Sequence, residues 1–218
     1  MTKESYKKKE SPNNTYKWGT GEDADSIRTM NSEELTDSVM QILEGINLEK
    51  GVWVFGYGSL MWNPDFKLAE KITGTVKGYR RSLCLKSMVY RGTRDFYGLV
   101  FGLDKGVSCQ GMAYRIAEKD IHSEMRKIWD REMFAGTYIP TWVNVNTKKG
   151  NISAVTFVIN HEHKHYLPNL GLEVISERVA RAVGNCGSCH DYVKNTVKCL
   201  HLHGLRDHAL EDLLRLIE

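Results

Sequence analysis

The segment from Val52 to Trp62 reads Val-Trp-Val-Phe-Gly-Tyr-Gly-Ser-Leu-Met-Trp, and the rest of the chain is arranged around it. Its first four residues are β-branched or aromatic, which is typical of a buried strand. The strand runs into a loop in which glycines allow a tight turn and the close approach of a ligand to the main chain. The N–H groups of Gly58, Ser59 and Leu60 can then converge on an anion such as a carboxylate. A plain strand-to-turn corner is the alternative, because short Gly-x-Gly runs are common.

Composition favours one globular domain. The chain has 218 residues, of which 41% are apolar, and its 30 basic and 27 acidic residues leave a formal charge of +3, so no basic face indicates nucleic-acid binding. The sequence contains neither a run of about 18 apolar residues nor a secretory signal, and we expect a cytoplasmic protein that does not bind membranes. Five cysteines do not describe a disulfide framework, and we expect reduced thiols.

The N-terminal part of the chain differs from the remainder. Residues 1–30 are polar and rich in lysine, which predicts a flexible basic leader, and residues 31–218 are predicted to form a single domain. Asn31 and Glu34 have the spacing of a capping box. The apolar residues that follow at helical spacing are Leu35, Val39, Ile42 and Leu43. They predict an amphipathic helix that lies against the domain.

Short apolar segments separated by glycines dominate the middle of the chain. The predicted strands are residues 52–55, 71–79, 82–90, 96–103, 110–116, 138–146 and 153–159. Pro140 argues for a sheet edge or a bulge in its strand. Residues 118–134 have helical spacing, and residues 171–218 predict three further helices. We therefore predict an α+β fold, a closed or strongly curved sheet with helices at one side.

Two longer motifs are similar to those of a known family. Residues 55–62 read Phe-Gly-Tyr-Gly-Ser-Leu-Met-Trp, and residues 129–142 read Trp-Asp-Arg-Glu-Met-Phe-Ala-Gly-Thr-Tyr-Ile-Pro-Thr-Trp. With them, the chain closely resembles the ChaC family, the glutathione-specific gamma-glutamylcyclotransferases, and its bacterial members in particular. Shorter matches lie at residues 61–64, 78–81, 91–93, 111–115 and 191–192. The resemblance covers about residues 50–215.

The resemblance implies a small mixed β-barrel with helices packed at one side, the gamma-glutamylcyclotransferase-like fold. It also implies an enzyme without a cofactor that cleaves glutathione to 5-oxoproline and cysteinylglycine. The catalytic glutamate of the family falls on Glu132. The family's substrate loop and the further pocket positions fall on Tyr57, Gly58, Ser59, Leu60, Arg81, Arg91, Tyr138 and Tyr192.

The implied reaction needs a proton-transfer group rather than a protein nucleophile. The α-amino group of the γ-glutamyl unit attacks its own γ-carbonyl and expels the amide nitrogen of the cysteine, so no metal or water takes part. A single carboxylate, Glu132, can serve as general base and then as general acid. Its expected apolar wall consists of Trp129, Met133, Phe134 and Trp142, which would raise its pKa. The alternative is a surface carboxylate paired with Arg131 or Lys127.

The other positions have two interpretations each. The loop amides would bind the glutamyl α-carboxylate or stabilise charge on the γ-carbonyl oxygen. Arg81 and Arg91 suit carboxylates, including the glycine end of glutathione, although exposed arginines are often solvated or paired. Tyr138 and Tyr192 would hydrogen-bond the substrate or simply pack in the core or at the rim.

Cys186-Gly-Ser-Cys189-His190 supports a rival interpretation. It matches the C-x-x-C-H signature of c-type haem, which the missing export signal disfavours. Cys186 and Cys189 with His201 or His203 would be ligands for zinc, or the two cysteines would form a redox pair. Free thiols in a glycine-containing loop are the alternative that we prefer, and we expect no metal.

The prediction is thus a glutathione-degrading enzyme with Glu132 as general acid/base. Its partner is a small-molecule substrate, and we expect a monomer or a weak homodimer. The first alternative is cyclotransfer on another γ-glutamyl amine or peptide. The second, from a different class, is a metal- or haem-binding redox module centred on Cys186 and Cys189.

Overall fold

A computed structural model describes residues 15–16 and 27–218. Its strands are β1 (Thr15–Tyr16), β2 (Ile27–Arg28), β3 (Val52–Gly56), β4 (Glu70–Ser87), β5 (Gly98–Ile116), β6 (Tyr138–Thr147), β7 (Gly150–Ile159), β8 (Val183–Gly184) and β9 (Gly187–Ser188). Its helices are α1 (Ser32–Leu43), α2 (Ser59–Trp62), α3 (Ile121–Glu132), α4 (Leu172–Arg181), α5 (Cys189–Leu202) and α6 (His208–Ile217), and a 3-10 turn at Glu118–Asp120 precedes α3.

Five strands form a closed barrel in the order β3-β5-β4-β6-β7. Strand β3 closes it, because it pairs antiparallel with β5 on one side and parallel with β7 on the other. The core holds buried aromatic residues such as Phe55 and Phe101. The predicted α+β fold, a small mixed barrel with helices, is confirmed.

Strands β4 and β5 are longer than predicted. Each joins two segments that are predicted as separate strands, and together they form one long antiparallel ladder. Register shifts between Lys77 and Tyr79 and between Leu83 and Leu85 interrupt the ladder without ending the strand. Gly78 at the first shift has a φ of 83°, a backbone conformation that favours glycine. The glycines that suggested turns are therefore bends within continuous strands.

Pro140 lies in the part of β6 that pairs with β7 on one side and has no pairing with β4 on the other. Pairing of β6 with β4 is confined to Val145, Asn146 and Thr147 at the other end of β6. A proline without an N–H group is tolerated at such a half-paired position. The predicted sheet edge is confirmed.

Helix α1 begins with the predicted capping box. Asn31 accepts a hydrogen bond from the N–H of Glu34, and the Glu34 carboxylate accepts one from the N–H of Asn31. The apolar face of α1 packs in one cluster with Val54 and Trp129. The predicted amphipathic helix against the domain is confirmed, and it supports the back of α3.

The predicted leader falls mainly outside the described residues. Within residues 15–16 and 27–28, β1 and β2 form a short antiparallel pair. The N–H of Met30 donates to the carbonyl of Phe134, which fixes the start of the domain beside the C-terminus of α3. The flexible leader and the single domain over residues 31–218 remain predictions.

Three helices cover one side of the barrel, as predicted for the last third of the chain. The first of them, α4, ends at Arg181, and Val183, whose helical spacing after Val174 and Val179 predicts that it continues this helix, lies instead in β8 with its side chain exposed. A small hairpin of β8 and β9 connects α4 to α5. Glu211 joins α5 and α6, because His201 and Arg206 both contact its carboxylate.

Candidate active site

Glu132 is the last residue of α3, and its side chain is 14% exposed. The Nε atom of Arg131 lies 3.1 Å from its carboxylate. Burial raises the pKa of Glu132 above that of an ordinary carboxyl group, and the charge of Arg131 partly opposes this rise. Glu132 therefore has the Arg131 partner that the surface alternative required, yet it is largely withdrawn from solvent.

A glycine loop, residues 56–60, follows β3 directly. A Cβ atom at Gly56 would lie 2.9 Å from the Cβ of Leu60, so the turn leaves no room for a side chain there. The N–H of Met61 donates to the carbonyl of Gly58 at 2.9 Å, and the N–H of Asn63 donates to that of Ser59 at 2.8 Å. The predicted strand and tight loop are both present, and α2 begins within the loop.

Tyr57 is fixed at both its side chain and its main chain. Its hydroxyl donates to the carbonyl of Phe157 at 2.6 Å, and its own carbonyl accepts a hydrogen bond from Nε of Arg81. Burial raises the pKa of Tyr57 well above its ordinary value, and the nearby Glu132 adds to the rise. Tyr57 is thus a neutral, immobilised residue at physiological pH.

The glycine loop and Glu132 meet in a narrow recess of about 20 Å³. Its lining residues are Tyr57, Gly58, Ser59, Leu60, Phe101, Glu132, Tyr138, Phe157 and Tyr192. They come from different strands, helices and loops, so the recess exists only in the folded barrel.

The hydroxyls of Tyr138 and Tyr192 differ in how they are bound. The Tyr138 hydroxyl donates to the carbonyl of Phe101 at 2.8 Å, whereas the Tyr192 hydroxyl accepts from the N–H of Phe101 at 3.2 Å. Burial raises the pKa of both groups, so both keep their protons at neutral pH. The hydroxyl proton of Tyr138 is already donated to the Phe101 carbonyl. The Tyr192 proton can be donated to another group in the recess.

A larger cavity of about 570 Å³ adjoins the recess and shares four of its residues, Ser59, Glu132, Tyr138 and Tyr192. Arg91 and Cys186 lie on its wall. The Arg91 side chain donates to the carbonyl of Cys186 at 2.6 Å, and its guanidinium carbon lies 5.2 Å from the ring centre of Tyr192. This cavity has room for the part of a substrate that extends beyond the recess.

The family model for ChaC-like proteins matches residues 52–218. This chain belongs to the ChaC-like family. The match begins at β3 and ends after α6, so it includes the whole barrel, the recess and the larger cavity. The family resemblance drawn from the sequence is confirmed.

Curated relatives include members from bacteria and plants. The glutathione-specific gamma-glutamylcyclotransferase of Escherichia coli is 36% identical over 167 residues, which cover 76% of this chain and 72% of the relative. The gamma-glutamylcyclotransferase 2-3 of Arabidopsis thaliana is 32% identical over 175 residues, which cover 74% of this chain and 86% of the relative.

Solved structures support the fold. The gamma-glutamyl cyclotransferase specific to glutathione from yeast, in a selenomethionine-labelled crystal, matches with a TM-score of 0.70 at 18% sequence identity. The alignment covers 77% of this chain and 96% of the yeast chain. The ChaC-like barrel described above is therefore the gamma-glutamylcyclotransferase fold.

Arg81 is the predicted ChaC-like pocket residue that the structure places outside the recess and the larger cavity. Its side chain is 2% exposed and forms an ion pair with Asp207. It also donates to the carbonyls of Tyr57 and Gln110. Through these contacts, the Arg81 guanidinium connects the glycine loop to strand β5 and to the start of α6.

The apolar wall of the recess differs from the one predicted. The indoles of Trp129 and Trp142 face α1, where they donate to the hydroxyl of Ser38 and the carbonyl of Ile42. Phe134 lines the larger cavity instead. The aromatic walls of the recess are Phe101 and Phe157 with the tyrosines, and they replace the tryptophans in withdrawing Glu132 from water.

Phe101, Phe157 and Arg131 line the candidate site but are not predicted to do so from the sequence. Phe101 and Phe157 are buried strand residues with nothing in their local sequence to distinguish them from other core positions. Arg131 lies inside the second family motif, next to Glu132, and this position is the feature of the sequence from which its place in the site could have been predicted. It lines the larger cavity and contacts both Glu132 and Ser59.

The proposed ligands of a metal or haem site lie apart. Cys189 begins α5, and its buried thiol donates to the carbonyl of Leu99, whereas His201 lies near the other end of this 14-residue helix. At 1.5 Å per residue the two are about 18 Å apart, too far to share a zinc ion. Burial also raises the pKa of Cys189 to about 11, which disfavours the thiolate that binds metal.

Over residues 27–218, no group of three or more His, Cys, Asp and Glu side chains is arranged to hold a metal ion. Within the same part of the chain, no helix is long and apolar enough to cross a membrane. Cys84, Cys109 and Cys199 are buried free thiols, and their apolar neighbours in the sequence predict such core positions.

Proposed function

We propose that this protein degrades glutathione by cyclising its γ-glutamyl unit. The α-amino nitrogen forms a bond to the γ-carbonyl carbon, and the bond from that carbon to the cysteine nitrogen breaks. One proton leaves the α-amino group and one is gained by the departing nitrogen, so the products are 5-oxoproline and cysteinylglycine. The reaction consumes no water and needs no redox partner.

One observation carries the proposal. The recess brings a buried carboxyl group, Glu132, together with the glycine loop in a family whose E. coli and other relatives are named for this reaction. A nucleophile supplied by the substrate leaves the protein two tasks, which are to orient the folded substrate and to move protons. The recess is suited to both.

Glu132 serves as general base and then as general acid. Its carboxylate removes a proton from the attacking nitrogen, and the resulting carboxylic acid donates to the leaving nitrogen. Because burial raises the pKa of Glu132, the protonated intermediate form is less costly than it is for an exposed carboxyl group. The same burial excludes the water that would compete for the proton.

The glycine loop binds the reacting end of the substrate. Gly58, Ser59 and Leu60 lie at the start of α2 and line the recess, and their N–H groups are the proposed donors to the substrate. They either hold the α-carboxylate of the glutamyl unit or stabilise negative charge on the γ-carbonyl oxygen. Arg81 acts from behind the loop, since it binds the Tyr57 carbonyl rather than facing the recess.

The cysteinylglycine part occupies the larger cavity. Arg91 lies on the cavity wall beside Tyr192, where its guanidinium can meet the carboxylate of the glycine. This position favours a substrate with a carboxylate at its far end over a simple γ-glutamyl amine.

We also propose that the protein acts in the cytoplasm. We propose that it is a monomer or a weak homodimer, and sedimentation analysis can test this oligomeric state.

The two cavity tyrosines are expected to respond differently to loss of their hydroxyls. Tyr192→Phe is expected to lower kcat for glutathione about fivefold to tenfold, because the hydroxyl that can donate into the recess is lost. Tyr138→Phe is the matched control, since its proton is already bound to the Phe101 carbonyl. Steady-state kinetics at pH 8 measure both. Equal losses in the two variants would contradict the proposed role of Tyr192.

The test of the function is the release of 5-oxoproline from reduced glutathione by protein stripped of metal with a chelator. Turnover of glutathione well above that of a γ-glutamyl amine supports the proposal. Turnover of the amine alone favours a cyclotransferase with a different substrate. Inactive protein that contains stoichiometric zinc or a haem absorption band would instead favour the redox module centred on Cys186 and Cys189.

A further inference from the structure

Arg131 stands beside the proposed base and contacts three groups on two elements. Its Nη1 atom donates to the carbonyl of Asn63 at 2.6 Å, and its Nη2 atom donates to the hydroxyl of Ser59 at 2.8 Å. Its Nε atom lies 3.1 Å from the carboxylate of Glu132. The planar guanidinium therefore joins both ends of α2 to the end of α3.

This ion pair does not follow from helix geometry alone. Consecutive residues of a helix do not face each other, so Arg131 and Glu132 would ordinarily point in different directions. The helix ends at Glu132, and the contacts with Ser59 and Asn63 hold the Arg131 side chain across that end. The pair exists because the glycine loop and α2 lie opposite α3.

The surroundings of Glu132 otherwise disfavour its charged form. The carboxyl group is largely buried, and it lies at the C-terminus of a helix, where the unpaired carbonyl dipoles repel negative charge. A base in the protonated form cannot accept the proton of the substrate. A cation in contact with Glu132 is the arrangement that offsets both effects.

We propose that Arg131 is a positioning residue that holds the Glu132 carboxylate against the glycine loop and keeps it charged until the substrate binds. This inference rests on the proposed function. Ser59 gains a second role from it, because its hydroxyl oxygen accepts from Arg131 and leaves its own proton available to the substrate. The base and the substrate-binding loop are thereby held in one fixed geometry.

Other titratable groups near Glu132 do not supply the same charge. The tyrosines that affect it from β6, α5 and the glycine loop are neutral at physiological pH, because burial raises the pKa of each: Tyr57, Tyr138 and Tyr192. Besides these tyrosines, the charged or titratable residues that share the larger cavity with it are Lys86, Tyr90, Arg91, Asp130, Arg131, His165 and Cys186. Of these, Arg131 forms the ion pair with Glu132.

Two substitutions and a control test the inference. Arg131→Met removes the charge and keeps approximately the length of the side chain. Arg131→Lys keeps the charge but lacks the planar guanidinium that contacts Ser59, Asn63 and Glu132 at once. Arg126→Met is the matched control, since Arg126 also anchors α3 through contacts with Ser32, Thr36 and Asp130, away from Glu132. The titration of Glu132 is followed by NMR of carboxyl carbons, and kcat/KM is measured from pH 5 to 9.

Arg131→Met is expected to move the Glu132 titration and the acid limb of kcat/KM to higher pH. An adjacent opposite charge is commonly worth about one pH unit, so kcat/KM on the acid limb should fall by up to about tenfold more than kcat/KM at pH 8. Arg131→Lys should titrate nearly as the wild type does but turn over more slowly. If Arg131→Met does not fold, Ser59→Ala should give a smaller shift in the same direction.

An unchanged Glu132 titration in Arg131→Met overturns the inference, as does an equal shift in Arg126→Met. The NMR titration requires no turnover, so this outcome is distinct from failure of the proposed function. Wild-type protein that does not convert glutathione refutes that function instead.

Discussion

Replacing Glu132 with glutamine is expected to lower kcat for glutathione cyclisation by about 10²- to 10⁴-fold, because the amide can neither accept nor return the proton. KM should change little, since glutamine keeps the shape and the hydrogen-bonding capacity of the side chain. Release of 5-oxoproline under saturating glutathione measures the effect. A variant with nearly normal kcat would show that another group moves the protons.

Two controls accompany this variant. Asp130→Asn removes the other carboxyl group that lines the larger cavity, and it is expected to retain most of the wild-type turnover. Folding is checked by thermal denaturation. The pKa of Glu132 is raised in the folded protein, so its contribution to stability falls as the pH rises above the ordinary carboxyl range. Glu132→Gln is therefore expected to unfold at the wild-type temperature or higher at pH 8.

Gly98→Ala is expected to lower the free energy of unfolding by about 3 kcal/mol, because there is no space for the added methyl group. A Cβ atom at Gly98 would lie 2.0 Å from the carbonyl oxygen of Arg91, a main-chain atom that cannot rotate away as a side chain can. A Cβ atom at Gly92 would likewise lie 2.0 Å from the backbone nitrogen of Gly98, and one at Gly184 would lie 2.5 Å from that of Gly92. Either β5 or the segment that carries Arg91 must move.

The same change should also affect substrate binding, because Arg91 lies on the wall of the larger cavity. We expect a fall of about 6–12 °C in the unfolding temperature and a higher KM for glutathione. Gly171→Ala is the matched control, since a Cβ atom there meets no atom within 4 Å, and it should stay within about 1 kcal/mol of the wild type. Similar losses in both variants would contradict the packing argument.

The sequence predicted the strand and loop of the site well, because local chemistry decides them. Four β-branched or aromatic residues followed by two glycines can form few other structures, and the observed β3 and glycine loop match them. Pro140 and the Asn31–Glu34 cap were likewise readable, since each depends on neighbours a few residues away. The catalytic role of Glu132 is predicted from the family motif and not from the helical periodicity of its surroundings.

The contacts that complete the site could not be predicted in this way. Tyr57 binds Phe157, which lies 100 residues away, and Arg81 pairs with Asp207 across 126 residues. No local pattern reports such partners. The continuity of β4 and β5 was missed for a related reason, because a glycine at a bend within a strand and a glycine in a turn look the same in sequence.

The arrangement of the cavities has a consequence for how substrate preference can diverge. The glycine loop is tied to the barrel through the contacts of Tyr57 with Phe157 and Arg81, and Glu132 ends a helix that packs on the barrel, whereas the larger cavity also includes Arg91 and Cys186 on the connections after β4 and β8. Surface connections tolerate sequence change far better than barrel strands do. Homologues can therefore exchange the group that follows the γ-glutamyl unit by altering these connections, while the chemistry at the barrel is inherited unchanged.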